Sequence, residues 1–154
     1  YFEQMGAKIG HGAELTVGPT GGRLRGCSID MNETPDALPA MAVAAALAEG
    51  ETRLLNVPQA RVKETDRIAV MASELGKMGA DIEELPDGMI IRGGRLHGAE
   101  VSSFADHRIA MALAVAGLAA DGETVIDGAD AASVTYPDFI RDFQNIGADF
   151  TVIQ

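Results

Sequence analysis

The chain repeats itself, and the repeat limits what it can fold into. Met5-Gly6-Ala7-Lys8-Ile9 recurs as Met78-Gly79-Ala80-Asp81-Ile82 and as Ile146-Gly147-Ala148-Asp149-Phe150, at spacings of 73 and 68 residues. A second marker runs between these copies. Asp36-Ala-Leu-Pro-Ala-Met41-Ala42 precedes Asp106-His-Arg-Ile-Ala-Met111-Ala112 by 70 residues. Each leads through an Ala-rich run to Gly50-Glu51-Thr52 or Gly122-Glu123-Thr124. A period near seventy is too long for a common solenoid and suits a small α/β unit used more than once.

Local signals fill in the unit. Residues 36–48 and 106–119 are apolar nearly all round, the mark of a buried helix rather than a surface one. Thr34-Pro35 reads as an N-cap and first helical position, and Pro39 removes a donor from the first turn and bends it. Arg53 to Val57 and Thr124 to Asp127 are short, branched and bounded by turn residues, hence strands. Residues 66–78 place Ile68, Met71, Ala72, Leu75 and Met78 at helical spacing, with Gly79 where a left-handed C-cap is wanted. A matching helix near 137–146 turns Phe139, Ile140, Phe143 and Ile146 inward. Ala80 to Glu84 and Met89 to Arg92, joined by Pro86-Asp87-Gly88, predict a hairpin.

The unit is therefore strand, helix, strand, helix, strand, strand. The expected fold is α/β (α+β): one domain over 1–154 with a pseudo-threefold repeat of βαβαββ units and buried helices. Residues 1–18 are the tail of copy one, 25–92 a whole copy, and 99–154 a third copy short of its final strand. The domain is thus expected to be incomplete at both ends, with open strand edges that favour self-association.

Charge narrows the function. The 154 residues carry 12 Lys plus Arg against 23 Asp plus Glu, a net charge of −11. That balance disfavours nucleic acid and anionic membrane as partners. No apolar run is long enough to span a bilayer and no leader is evident, so a cytoplasmic location is expected. Cys27 is the one cysteine, and no His, Cys and carboxylate set has ligand spacing, so neither a metal nor a cofactor is expected. Gly21-Gly22 lacks the Lys-Ser/Thr of a phosphate loop.

Three of the twelve bases nevertheless fall within Arg61-Val-Lys63-Glu64-Thr-Asp-Arg67, at the predicted start of a helix, where free N–H groups add positive potential. Arg108 opens the helix of the next copy, and Asp36 holds the same place in the preceding one. Threefold repetition brings such ends towards one side, which suggests an anion site with carboxylates beside it. Asp106 reads as a helix-start acid favoured by the dipole, and His107 as a structural or rim histidine. His11 and His97 are given no role.

Arg61-Val-Lys-Glu-Thr-Asp-Arg67 followed by Asp106-His-Arg-Ile-Ala-Met111 resembles the EPSP synthase family, the 3-phosphoshikimate 1-carboxyvinyltransferases. Asn32-Glu-Thr-Pro-Asp-Ala37 and Val134-Thr-Tyr-Pro-Asp-Phe139 resemble two further motifs of that family, in order and across nearly the whole chain. The enolpyruvyl transferase that acts on UDP-N-acetylglucosamine is an alternative relative of the same fold, but the Lys-Glu-Thr-Asp-Arg string favours the shikimate enzyme. The resemblance implies one domain, the carboxy-terminal one, of a two-domain enzyme that moves the enolpyruvyl group of phosphoenolpyruvate onto shikimate 3-phosphate. It implies that Asp36 accepts the proton of the attacking hydroxyl and that Glu64 shuttles a proton at the methylene. Lys63 would contact the shikimate side, and Arg67 and Arg108 would clamp the phosphoenolpyruvate anion. Gln59 stands where some members carry an Asn that contacts the ring, and Val134 where some carry a Lys. The family's other domain supplies further site residues, so the chain alone is expected to be inactive or nearly so. A weak binding module for phosphoenolpyruvate or glyphosate, or a complementation partner of a separate amino-terminal half, are the other expectations.

Overall fold

The computed structural model describes residues 1–18 and 21–153. It opens with a hairpin, β1 (Lys8–His11) paired antiparallel with β2 (Leu15–Gly18), to which no other strand is added among the described residues. Leu15 and Val17 of β2 are more than two-thirds exposed.

Copy two supplies the main sheet. β3 (Ser28–Asp30) crosses over through a 3-10 turn at Pro35–Ala37 and helix α1 (Leu38–Leu47) to a parallel neighbour, β4 (Glu51–Leu55). A second 3-10 turn (Pro58–Val62) leads into α2 (Arg67–Lys77), and the hairpin β5 (Asp81–Leu85) and β6 (Gly88–Arg92) returns antiparallel to β4. The strand order is β3-β4-β6-β5. Copy three repeats the crossover: β7 (Glu100–Ser102), α3 (His107–Leu118), then β8 (Val125–Asp127) parallel to β7. A 3-10 turn over Ala129–Val134 and the short helix α4 (Phe139–Asn145) come after it.

The repeat holds at the level of register. Ser28 faces Arg53 and Glu100 faces Val125, so 28 to 100 and 53 to 125 are the same shift of 72. Gly6, Gly79 and Gly147, the glycines of the three markers, have φ of +92°, +90° and +99°, a conformation side chains resist. Gly26 and Gly98 lie against the backbones of Glu51 and Glu123, where a Cβ would sit 2.3 Å and 2.0 Å from the carbonyl oxygens.

Helix α1 has no polar face, and Leu38, Met41, Ala42, Val43, Ala45 and Ala46 are all buried. With Ile68, Met71 and Leu75 of α2 and Ile109, Leu113 and Ala116 of α3 they form one core, closed by Ile29, Leu54, Met89 and Ile91 of the sheet. The three helices thus pack on one another with strands outside them, as the apolar patterning requires. Phe139, Phe143 and Phe150 stack into a satellite cluster, Phe139–Phe143 at 4.4 Å between centroids.

Four local expectations are corrected. Thr34 does not cap α1, because its hydroxyl pairs with the Tyr1 hydroxyl at 2.7 Å and the 3-10 turn comes first. Pro39 is accordingly the second residue of α1, where its missing N–H would have had no intrahelical acceptor, so it breaks nothing. Ile146 is 80% exposed, because α4 ends at Asn145 and the left-handed Gly147 turns the chain away. Copy three, expected to lack one strand, shows none over residues 146–153.

Candidate functional site

The starts of α1, α2 and α3 meet at one end of the helix layer, and each brings a charged residue. Asp36 comes from the 3-10 turn that precedes α1. Lys63 and Glu64 come from the extended link before α2, Arg67 is the first residue of α2, and Asp106 and Arg108 flank the start of α3. The backbone strain is here too: Phe104 and Ala105, the two residues before Asp106, have φ of +51° and +58°.

Arg67 is the hub. Its side chain is 1% exposed, and four of its contacts are to carboxylates. Nε donates to Asp106 Oδ2 at 2.7 Å, and Nη2 reaches Asp106 Oδ1 at 3.3 Å. Nη1 donates to Asp36 Oδ1 at 2.8 Å and Nη2 to Glu64 Oε2 at 2.6 Å. Only a planar fork can hold three acids in this way. Asp106, fully buried, also accepts the backbone N–H of Arg108 at 2.8 Å and of Ile109 at 3.4 Å, so one carboxylate caps α3 and seats the arginine.

Asp36 is the meeting point on the open side. Besides Arg67, Lys63 Nζ lies 3.3 Å from its Oδ1 and Arg108 Nη2 lies 3.4 Å from its Oδ2. Both of these bases are partly exposed, unlike Arg67. Partial desolvation pushes the Asp36 carboxyl up, but Lys63, Arg108 and Arg67 together outweigh it and hold it below the usual range. Burial likewise works against both charges of the Arg67–Asp106 pair, yet their mutual contact prevails: the guanidinium is raised and the carboxyl lowered. Asp36 and Arg108 also line one end of a cavity of about 490 Å³ between α1 and α3, walled further on by Val43, Leu47, Met111 and Val115.

Of the residues singled out from the sequence, Asp36, Lys63, Glu64, Arg67 and Arg108 come together. Gln59 instead donates to the Asn32 carbonyl at 2.8 Å, in the loop that leads to Asp36. Arg61 is drawn elsewhere: it binds Asp66 at 2.7 Å, Glu84 at 2.8 Å and the carbonyls of Leu85 and Pro86, tying the β5–β6 turn to the start of α2. Asp106 was missed as a site residue, since in sequence it is indistinguishable from an ordinary helix-start acid. Thr65, whose hydroxyl reaches Asp106 Oδ2 at 3.4 Å, gave no signal at all. Among the described residues, no group of three or more His, Cys, Asp and Glu could hold a metal ion, and no helix is long and apolar enough to cross a membrane.

Three acids and two further bases around one buried guanidinium, drawn from three of the sequence motifs, are the point where known proteins can be compared. The sequence profile of EPSP synthase (3-phosphoshikimate 1-carboxyvinyltransferase) matches residues 1–143, which includes every residue of this cluster. The chain belongs to the EPSP synthase family. A 3-phosphoshikimate 1-carboxyvinyltransferase from Ruminiclostridium cellulolyticum is 59% identical over 97% of the chain and 35% of the relative's own length. One from Acetivibrio thermocellus is 56% identical over 99% of the chain and 36% of the relative. The chain thus spans about a third of the length of the EPSP synthases it matches. A solved EPSP synthase from Acinetobacter baumannii superposes with a TM-score of 0.88 at 34% identity, over 99% of this chain and 39% of that one. The enolpyruvyl transferase NikO from Streptomyces tendae superposes at 0.80 with 25% identity, over 96% of this chain and 34% of that one.

Proposed function

We propose that the chain corresponds to the carboxy-terminal domain of an EPSP synthase and supplies one wall of a site that joins phosphoenolpyruvate to shikimate 3-phosphate. The observation that carries this reading is Asp36, a carboxylate ringed by Lys63, Arg67 and Arg108, with Glu64 on the neighbouring nitrogen of the same guanidinium. In the addition step, Asp36 accepts the proton of the attacking 5-hydroxyl while Glu64 delivers a proton to the methylene carbon of phosphoenolpyruvate. In the elimination step, the C–O bond to phosphate breaks and Glu64 takes a proton back from the methyl carbon. Arg108 meets the phosphoenolpyruvate anion, helped by the N–H of Arg67 not committed to a carboxylate. Lys63, on the same Asp36 carboxylate as Arg108, serves the shikimate side and is the second base within reach of the anion, and Gln59 steadies the Asn32 loop. Preorganised charge of this kind is a large part of stabilising a polyanionic intermediate.

Grafting decides the matter. The 149 residues that match the Ruminiclostridium cellulolyticum enzyme can be replaced by those of this chain. Phosphate release within about tenfold of the parent is expected, with a loss of about 10²- to 10⁴-fold in kcat for Asp36→Asn in the graft. A folded graft without activity, or full activity in Asp36→Asn, would contradict the reading.

A further inference from the structure

The side chains of the charged cluster balance one another, and an entering anion upsets that balance. Lys63, Arg67 and Arg108 face Asp36, Glu64 and Asp106, so three positive charges meet three negative ones. Lys63 and Arg108 have partly exposed side chains within reach of an incoming anion and hold Asp36 only at 3.3 and 3.4 Å, whereas Arg67 is buried and pinned by Asp106. Once Lys63 and Arg108 turn to the anion, Asp36 keeps Arg67 as its remaining partner. Asp36, Glu64 and Asp106 then share one guanidinium, on Nη1, Nη2 and Nε. Carboxylates crowded on too little positive charge do not all remain ionised.

We infer that binding of a phosphate-type dianion at Lys63 and Arg108 is coupled to uptake of one proton by the Asp36–Glu64 pair. This rests on the reading of the cluster as an anion site and adds a consequence of its charge balance. Asp106 is excluded as the acceptor, because it is buried and its oxygens receive Arg67 and two backbone N–H groups. Asp36 and Glu64 are both partly exposed and reachable by water. The proton belongs to the pair rather than to either residue, since both sit on the same guanidinium. Also on the elements packed here are Thr65, whose hydroxyl reaches Asp106, Asp66, which is committed to Arg61 and the cap of α2, and His107 at the start of α3. The coupling has a chemical use. Binding of the anion that is to be protonated at carbon draws from solvent the proton that the site needs.

Sulfate is a suitable probe, being a dianion that carries no proton at the pH values concerned. Its affinity for the purified chain is to be measured between pH 5 and 7.5 at constant ionic strength. The expected result is affinity that rises as pH falls, approaching tenfold per pH unit where one full proton is taken up. The double variant Asp36→Asn, Glu64→Gln should bind sulfate with that slope removed, and His107→Asn should keep it. Sulfate binding that is independent of pH, or a slope that survives in the double variant or disappears in His107→Asn, overturns the inference while leaving the anion site intact. No sulfate binding at any pH overturns the anion site and the inference together.

Discussion

Arg67 and Asp106 form an ion pair at 2.7 Å in which neither side chain is more than 1% exposed. They join the first turn of α2 to the cap of α3, and Asp36 and Glu64 hang from the outer nitrogens of that arginine. Removing Asp106 leaves the buried Arg67 with only the two partly exposed acids on its outer nitrogens and takes the cap from α3. Asp106→Ala is therefore expected to cost about 3–5 kcal/mol in urea unfolding, well above the cost of a lost cap alone. A loss under about 1 kcal/mol would mean that the pair does not anchor the site.

A second buried acid makes the fold sensitive to pH away from the site. Glu74 on α2 accepts the Ser102 N–H at 2.8 Å, the Lys77 ammonium at 2.8 Å and the Ser73 hydroxyl at 3.0 Å, so it ties α2 to β7. Burial pushes this carboxyl up, but Lys77, Ser102 and Ser73 outweigh it and the group is held below its ordinary value. A carboxylate lowered by folding adds stability that is complete above the unfolded value, about 4.3, and is lost as pH falls through the folded one. The stability gap between wild type and Glu74→Gln should be open at pH 7 and shrink steadily below about pH 4. Urea midpoints at pH 7 and pH 3.5 check this, and a gap that does not change with pH would refute it.

The close approach at Gly26 offers a test of the repeat itself. A Cβ there would meet the Glu51 carbonyl oxygen at 2.3 Å, whereas one at Gly94 meets nothing within 4 Å. Backbone atoms cannot step aside as a flexible side chain can. Gly26→Ala and its counterpart Gly98→Ala should each lose about 1–3 kcal/mol, and Gly94→Ala should stay within about 0.5 kcal/mol of wild type. Thermal unfolding of the three variants gives the comparison. Equal tolerance at all three positions would show that strand and crossover do not touch at these glycines.

Much of this architecture is legible in the sequence. The seventy-residue period, the helix expected at 66–78 and found at Arg67–Lys77, and the hairpin expected from 80–92 all come from local patterning. Convergence of the helix starts is a consequence of repetition, and it brings five of the expected site residues together. What local patterning does not contain is partnership across the chain. Nothing local marks Glu74, because its partner Ser102 is 28 positions away. Arg67 is expected as a base of the anion site, but nothing near it reveals that Asp106, 39 positions on, will be buried against it. Arg61 looks like a third base for the cluster, and only the hairpin's return explains why it faces Glu84 instead.

The chain alone should be a poor catalyst. It spans about a third of its curated relatives, and a site built from one wall cannot exclude water or fix two reactants. Steady-state phosphate release from phosphoenolpyruvate and shikimate 3-phosphate is expected to fall far below the roughly 10 s⁻¹ of an ordinary enzyme. Turnover within about tenfold of that figure would show that these residues suffice.

The most direct measurement is of the anion site itself. Phosphoenolpyruvate titrated into the isotopically labelled chain should shift the resonances of Lys63, Arg67 and Arg108 together, along one saturating curve, and leave Arg61 and Arg141 unmoved. Silence at Lys63, Arg67 and Arg108 up to millimolar phosphoenolpyruvate, or shifts confined to other bases, would contradict the assignment of this cluster as the site.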